Sequence, residues 1–213
     1  MIETLAPSEV RVLGSLIEKE ATTPEYYPLS LNALVNACNQ KSNRDPVVDY
    51  DDEIALAAIE RLRALKLAFI ITGSRVTKYS QRISETLNLG RRELAALCTL
   101  LLRGPQTLGE IKDRSERMFA FGDLSEVETV LDKLADWPGG ALVAKLPKQP
   151  GQKEIRFTHL LSGEPSIETV TENVATAPAG NSRLIQLEID LQQLRAEFQE
   201  LKQRFEHLEA QLS

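Results

Sequence analysis

Aromatic side chains are scarce in this chain of 213 residues. Phe, Trp and Tyr together make up 5 %, so its cores must be built from Leu, Ile, Val and Ala, as in small helical domains. Histidine is almost absent, with only His159 and His207, and Cys38 and Cys98 are the only thiols. Metal sites need clustered ligands, and the sequence clusters none. It has no CxxC, HExxH or GxSxG motif and no phosphate-binding glycine loop. Together these absences argue against an enzyme and call for no cofactor. His159 falls on the apolar side of a predicted strand and reads as a core or half-buried histidine rather than a metal ligand or base. His207 falls at a solvent-facing position of the C-terminal repeat.

Long apolar runs are missing as well. The longest, Leu94 to Leu102, is far short of the roughly 20 residues of a membrane span. The N-terminus lacks the basic start and apolar stretch of a signal peptide. A cytoplasmic protein is expected, with Cys38 and Cys98 reduced and packed as small hydrophobes at helical positions. A basic excess is also absent. Residues 1–90 carry 10 basic and 12 acidic side chains, residues 91–165 carry 11 and 11, and residues 166–213 carry 4 and 8. That excludes a strong, non-specific nucleic-acid binder and leaves only a local basic patch for such contacts.

What the chain does have is periodicity. Val10, Leu13, Leu16 and Ile17 predict a helix from Ser8 to Lys19. Leu31, Leu34, Val35 and Cys38 predict a second, capped by Ser30. A third starts at Asp51 or Asp52 and buries Ala55, Ala58, Ile59, Leu62 and Leu65. Leu67–Thr72 and Arg75–Ser80 then read as strands around a Gly73-Ser74 turn. The order repeats. Arg91–Arg103 is a strongly apolar helix, Thr107–Arg117 a second, and a third opens with Ser125 and Glu128 as a capping box. Leu142–Leu146 and Lys153–His159 are strands, with Ile155, Phe157 and His159 on one face. Leu13 matches Leu97 at an offset of 84, and Ile59 and Leu62 match Leu131 and Leu134 at 72. Three helices followed by a hairpin is the winged-helix order.

The tail carries a heptad repeat. Leu184, Leu187, Leu191, Leu194, Phe198, Leu201, Phe205, Leu208 and Leu212 alternate three and four residues apart, with Leu at every d position. In a parallel dimer Asp190 meets Arg195, Glu197 meets Lys202 and Arg204 meets Glu209, all opposite in sign. An antiparallel pairing sets Glu188 against Glu209 and Arg195 against Lys202. Each exposed pair contributes only roughly 0.2–0.5 kcal/mol, but the pattern selects a parallel homodimer. Phe at two a positions also admits a trimer. The competing reading is one amphipathic helix folded back on the rest of the chain; the narrow seam favours the coil.

The expected architecture is therefore mainly α with small β-hairpins (α+β). It comprises a winged-helix domain over residues 1–88, a second over 89–162, a flexible linker over 163–182 and a coiled coil over 183–213. Candidate residues for binding nucleic acid or a partner are Lys41 and Arg44, before the third helix, and Arg75, Lys78 and Arg82 on the first wing, where they could grip phosphates. The third helices speak against DNA: one opens with Asp51, Asp52 and Glu53, and the other carries Glu126, Glu128, Asp132 and Asp136 against Lys133. Two functions stay open, a dimeric DNA-binding transcriptional regulator and a protein-interaction or scaffold module.

Particular stretches are recognisable. EKEATTPEYYPLSLNALVNACNQKSNRDPVVDYD (Glu18–Asp51), RVTKYSQR (Arg75–Arg82) and LLRGPQTLGEIKDRSERMFAFGDLSEVE (Leu101–Glu128) closely resemble the YceH family of uncharacterised bacterial proteins. The resemblance runs over residues 5–165 and implies tandem winged-helix domains, but no activity and no site residues. Gly109-Glu110-Ile111-Lys112 departs from the Gly-Glu-Leu-Arg expected there and loses a planar guanidinium. Within these blocks Tyr26, Tyr27, Asn39, Gln40, Lys41, Asn43 and Arg44 read either as a binding surface or as a structured connection that satisfies backbone groups. The second reading is favoured for Asn39 and Asn43, the first for Lys41 and Arg44.

Overall fold

The first helix, α1 (Pro7–Thr22), starts at a proline, whose missing N–H is harmless in a first turn, and Glu9 reaches back to accept the Ala6 N–H at 2.9 Å. The structure is a computed structural model and describes residues 3–72, 76–148, 152 and 154–164. Beyond α1 come a 3-10 turn over Pro24–Tyr26, α2 (Leu31–Cys38), α3 (Asp52–Ala64) and an antiparallel hairpin of β1 (Ala68–Ile71) and β2 (Lys78–Gln81). A short α4 (Ile83–Leu87) leads to α5 (Arg91–Arg103), α6 (Leu108–Ser115), α7 (Leu124–Ala135) and a second hairpin of β3 (Val143–Lys145) and β4 (Phe157–His159). Among the described residues this is a mainly helical α+β fold with seven α-helices and two small sheets. No helix among them is long and apolar enough to cross a membrane.

Side-chain caps set several of the boundaries. Ser30 accepts from the Ala33 N–H, Asp51 from Ile54 and Thr107 from Glu110, each satisfying a free donor of a first turn. Glu110 returns the bond to the Thr107 N–H at 2.9 Å, completing a capping box. The segments between first and second helices also behave alike. Leu29 exchanges two backbone hydrogen bonds with Tyr79 (3.0 and 2.8 Å), and Gln106 does the same with Phe157 (2.9 and 2.7 Å). Each bridge adds one residue to the edge of its hairpin.

The buried apolar residues form one continuous cluster that takes in both halves, with Leu13, Leu16, Ile59 and Leu62 alongside Leu97, Leu100, Leu131 and Leu134. All described residues lie in one compact unit, Met1–Glu164, and the expected boundary at 88/89 falls inside it, at the left-handed Asn88 (φ 54°). The joint is the packing of α1 on α5. Gly14 makes it close: a Cβ there would lie 2.9 Å from Leu102 Cδ2 and 3.2 Å from Leu101 Cβ. The Cys98 thiol donates to the Gly14 carbonyl at 3.2 Å, across the same 84-residue offset that relates the two helices in sequence. Cys38 and Cys98 are both free and buried.

Several expectations need correction. The cap of α7 is Asp123, which accepts from Glu126 at 2.8 Å, and Glu126 in turn accepts from the Gly122 N–H; Ser125 lies inside the helix. A carboxylate two residues earlier outcompetes the hydroxyl because it is the stronger acceptor for a helix start. The last strand does not alternate as predicted: Thr158 is buried with Phe157, and Ile155 is exposed. Both hairpins are shorter than their apolar patterns, and neither α4 nor the 3-10 turn was anticipated, since both are shorter than a period can reveal. The Gly73-Ser74 turn, the linker from Pro165 onward and the heptad positions from Leu184 to Leu212 lie outside the described residues.

Candidate functional site

Of the five candidate cations, Arg44 lies inside the protein rather than on a surface. Its side chain is 0 % exposed. Its Nη1 and Nη2 donate to Glu18 Oε1 and Oε2 at 3.1 and 2.6 Å; Nε and Nη2 donate to the Ala37 carbonyl at 3.0 and 2.8 Å; and Nη1 donates to the Asn43 carbonyl at 2.9 Å. A guanidinium has five N–H donors, and these five bonds occupy it fully. No donor remains for a phosphate. Burial alone would raise the Glu18 carboxyl, but the hydrogen bonds and charge of Arg44 outweigh it and hold Glu18 below its usual range. Arg11, also buried, donates to the carbonyls of Cys38 (3.2 Å) and Pro46 (2.5 Å). Asn39 exchanges side-chain bonds with the Tyr50 backbone at 2.7 and 2.9 Å. The polar block is therefore a stitched connection, as read for Asn39; Lys41 stands exposed on it.

The first hairpin holds two of the remaining candidates, and Arg75 lies outside the described residues. Register pairs Phe69 with Ser80 and Ile71 with Lys78. These four share one face, since side chains alternate along a strand, while Ala68 and Tyr79 are buried on the other. Phe69 is 49 % exposed and Val76 53 %. Arg82 lies 5.9 Å from the Phe69 ring centroid and pairs with Glu85 at 3.2 Å. Lys78 and Arg82 thus flank an outward apolar strip rather than extending a field of free cations.

The exposed faces of the third helices are acidic and apolar. On α3, Asp52, Glu53, Ile54 and Leu56 are exposed, Arg61 is paired with Glu3, and Arg63 with Glu60 at 2.7 Å. On α7, Leu124, Glu128 and Asp132 are exposed. Lys145 of β3 reaches Asp132 at 2.9 Å, and Lys133 turns to Glu93 at 2.5 Å with its ammonium over the Trp137 ring. Desolvation would raise the Glu93 carboxyl, but the Lys133 bond keeps it low. His159 is half-buried, as expected; its Nδ1 is buried with no hydrogen-bond partner, and burial pushes the imidazole down to about 4.

One cluster escaped sequence reasoning. Arg103, Arg114 and Arg117 line a cavity of about 300 Å³ between α1, α5 and α6. Arg103 ends α5 just before Gly104, whose φ of 68° turns the chain sharply. Arg114 lies on α6, and Arg117 in the turn after it. The one sequence signal was the i,i+3 spacing of Arg114 and Arg117, which would set them on one side of the helix expected over Thr107–Arg117.

A family model described as "Protein of unknown function, DUF480" matches residues 5–152. A UPF0502 protein of Solibacter usitatus is 50 % identical over 90 % of this chain and 93 % of its own. One from Citrifermentans bemidjiense is 52 % identical over 90 % of each chain. A third, from Vibrio vulnificus, is 46 % identical over 90 % of this chain and 92 % of its own.

Proposed function

The chain belongs to the DUF480 family of proteins of unknown function, the family of the UPF0502 proteins, and from that membership and the geometry above we propose that it is a non-enzymatic binding protein whose two winged-helix units present their outer faces to a protein partner. The element order supports the winged-helix reading: three helices and a hairpin, twice, each hairpin joined at its edge by a residue from between its first two helices. The observation that carries the choice of partner is the outer face of the first hairpin. The exposed Phe69 and the half-buried Ile71 occupy it beside a single described strand cation, Lys78. Exposed aromatic and aliphatic side chains flanked by Lys and Arg have the make-up of a protein interface.

The alternative, a DNA-binding transcriptional regulator, draws on the exposed Lys41 and on Lys78. Against it stand the saturated Arg44, the engaged Arg82 and Lys145, and the carboxylates at the starts and outer faces of α3 and α7, which repel a phosphodiester backbone. The heptads over residues 184–212 supply the proposed parallel self-association, so that two headpieces act together.

Tagged full-length protein tests the partner reading when used to capture binders from nuclease-treated extract of its own cells. The wild type is expected to retain a stoichiometric protein that a Phe69→Asp, Ile71→Asp variant of unchanged Tm releases. Retention of nucleic acid alone, lost on nuclease treatment, contradicts it.

A further inference from the structure

The cavity between α1, α5 and α6 is chemically distinct from the hairpin face. Three arginines line one space of about 300 Å³, near the lower end of small-molecule pockets. Like charges gathered this way repel one another, and folded proteins normally neutralise them with carboxylates. That neutralisation is incomplete here. Glu18 stands at the wall, but Arg44 holds it bidentately and Lys19 lies 3.4 Å away. Asp113 and Glu116 also line the space, yet among the described residues neither forms an ion pair with any of the three arginines. Arg114 gives an N–H to Gln106 Oε1 at 2.8 Å and forms an ion pair with Glu110 at 3.4 Å, a carboxylate it shares with Arg156. Arg103 donates to the Asn43 side-chain oxygen and has no carboxylate partner among the described residues. Arg117 is exposed and is bound to no other described residue. Burial, together with the charges of Arg114 and Arg44, depresses the Arg103 guanidinium despite Glu18 and Asp45.

We propose that this cavity binds a small molecule bearing an oxyanion group, a phosphate or a carboxylate, clamped by Arg103, Arg114 and Arg117. Planar guanidinium forks match both groups with paired, charge-assisted hydrogen bonds. An anion placed among them would offset the mutual repulsion of Arg103 and Arg114. The volume admits a metabolite and excludes a duplex or a folded partner. The site stands apart from the hairpin face, so failure of either reading leaves the other intact.

Calorimetric titration and thermal unfolding of the full-length protein test the site, with sodium pyrophosphate in one arm, disodium succinate in a second and sodium chloride at matched ionic strength as control. At least one oxyanion is expected to saturate with a Kd below about 1 mM and to raise Tm in step with occupancy; the arm that does so identifies the group. Arg117→Gln, which breaks no contact within the protein, is expected to weaken that binding roughly tenfold or more while leaving the ligand-free Tm unchanged. Absence of saturation in both arms, an equal effect from chloride, or undiminished affinity in both Arg117→Gln and Arg103→Gln overturns the proposal.

Discussion

The Arg44 guanidinium and the Glu18 carboxylate are joined across 26 residues of sequence, and that separation explains why the pair could not be read in advance. In one dimension Arg44 sits in a polar run with Asn43 and Asp45 and looks available; only the return of the chain beneath α1 removes it from solvent. Breaking such a pair strands the surviving charge. Glu18→Gln is expected to lower stability by about 3 kcal/mol in urea unfolding. Arg44→Lys is expected to cost nearly as much, because an ammonium cannot satisfy the acceptors of a planar fork. Little change in either variant would show that the connection is held by other contacts. His159 gives a second test. Its folded pKa of about 4 lies below the value of about 6.5 in an unfolded chain. Between the two the unfolded state binds the extra proton, so the histidine's contribution is complete above pH 6.5 and declines as pH falls toward 4. From pH 7.5 to 5.0 the wild type is expected to lose on the order of 2 kcal/mol that a His159→Asn variant keeps. Parallel losses in the two proteins would contradict the assignment.

Among the elements, the long helices were legible because burial imposes a period of 3.6 on them: α5 runs over Arg91–Arg103, as the pattern of Leu94, Leu97, Cys98 and Leu101 requires. The short elements were not legible. Five residues of α4 and three of the 3-10 turn are less than two turns each, and the true cap of α7 was hidden by a Ser-x-x-Glu match two residues too late. The exposed Ile155 shows the same limit, since alternation predicts a face only where a strand is paired along its length. Most of the candidate site depended on contacts between elements. Lys145 on β3 is engaged by Asp132 on α7, and Arg103 joins Arg114 only because α5 and α6 converge after Gly104. The α1–α5 joint is the element on which the headpiece turns. Gly14→Leu places a side chain where Leu101 and Leu102 already sit and is expected to cost more than about 2 kcal/mol in denaturant unfolding. A neutral result would mean that the two helices separate without loss.

At the scale of the whole molecule, a headpiece with one continuous core is followed by a heptad sequence whose charges favour a parallel pair. Sedimentation of the full-length protein at micromolar concentration is expected to give a dimer, and Leu194→Lys with Leu201→Lys a monomer with a folded headpiece; a monomeric wild type would remove self-association from the account. The central claim concerns what the headpiece presents: Arg44, Arg82 and Lys145 are engaged by carboxylates, and the exposed faces of α3 and α7 are acidic and apolar. Fluorescence anisotropy of a labelled DNA duplex, titrated with the full-length protein across a range of salt concentrations, tests this most directly. The account predicts no binding tighter than the non-specific level of about 10⁻⁴–10⁻⁶ M, and a shallow salt slope. Nanomolar binding to a defined sequence, with a slope indicating several phosphate contacts, would contradict it.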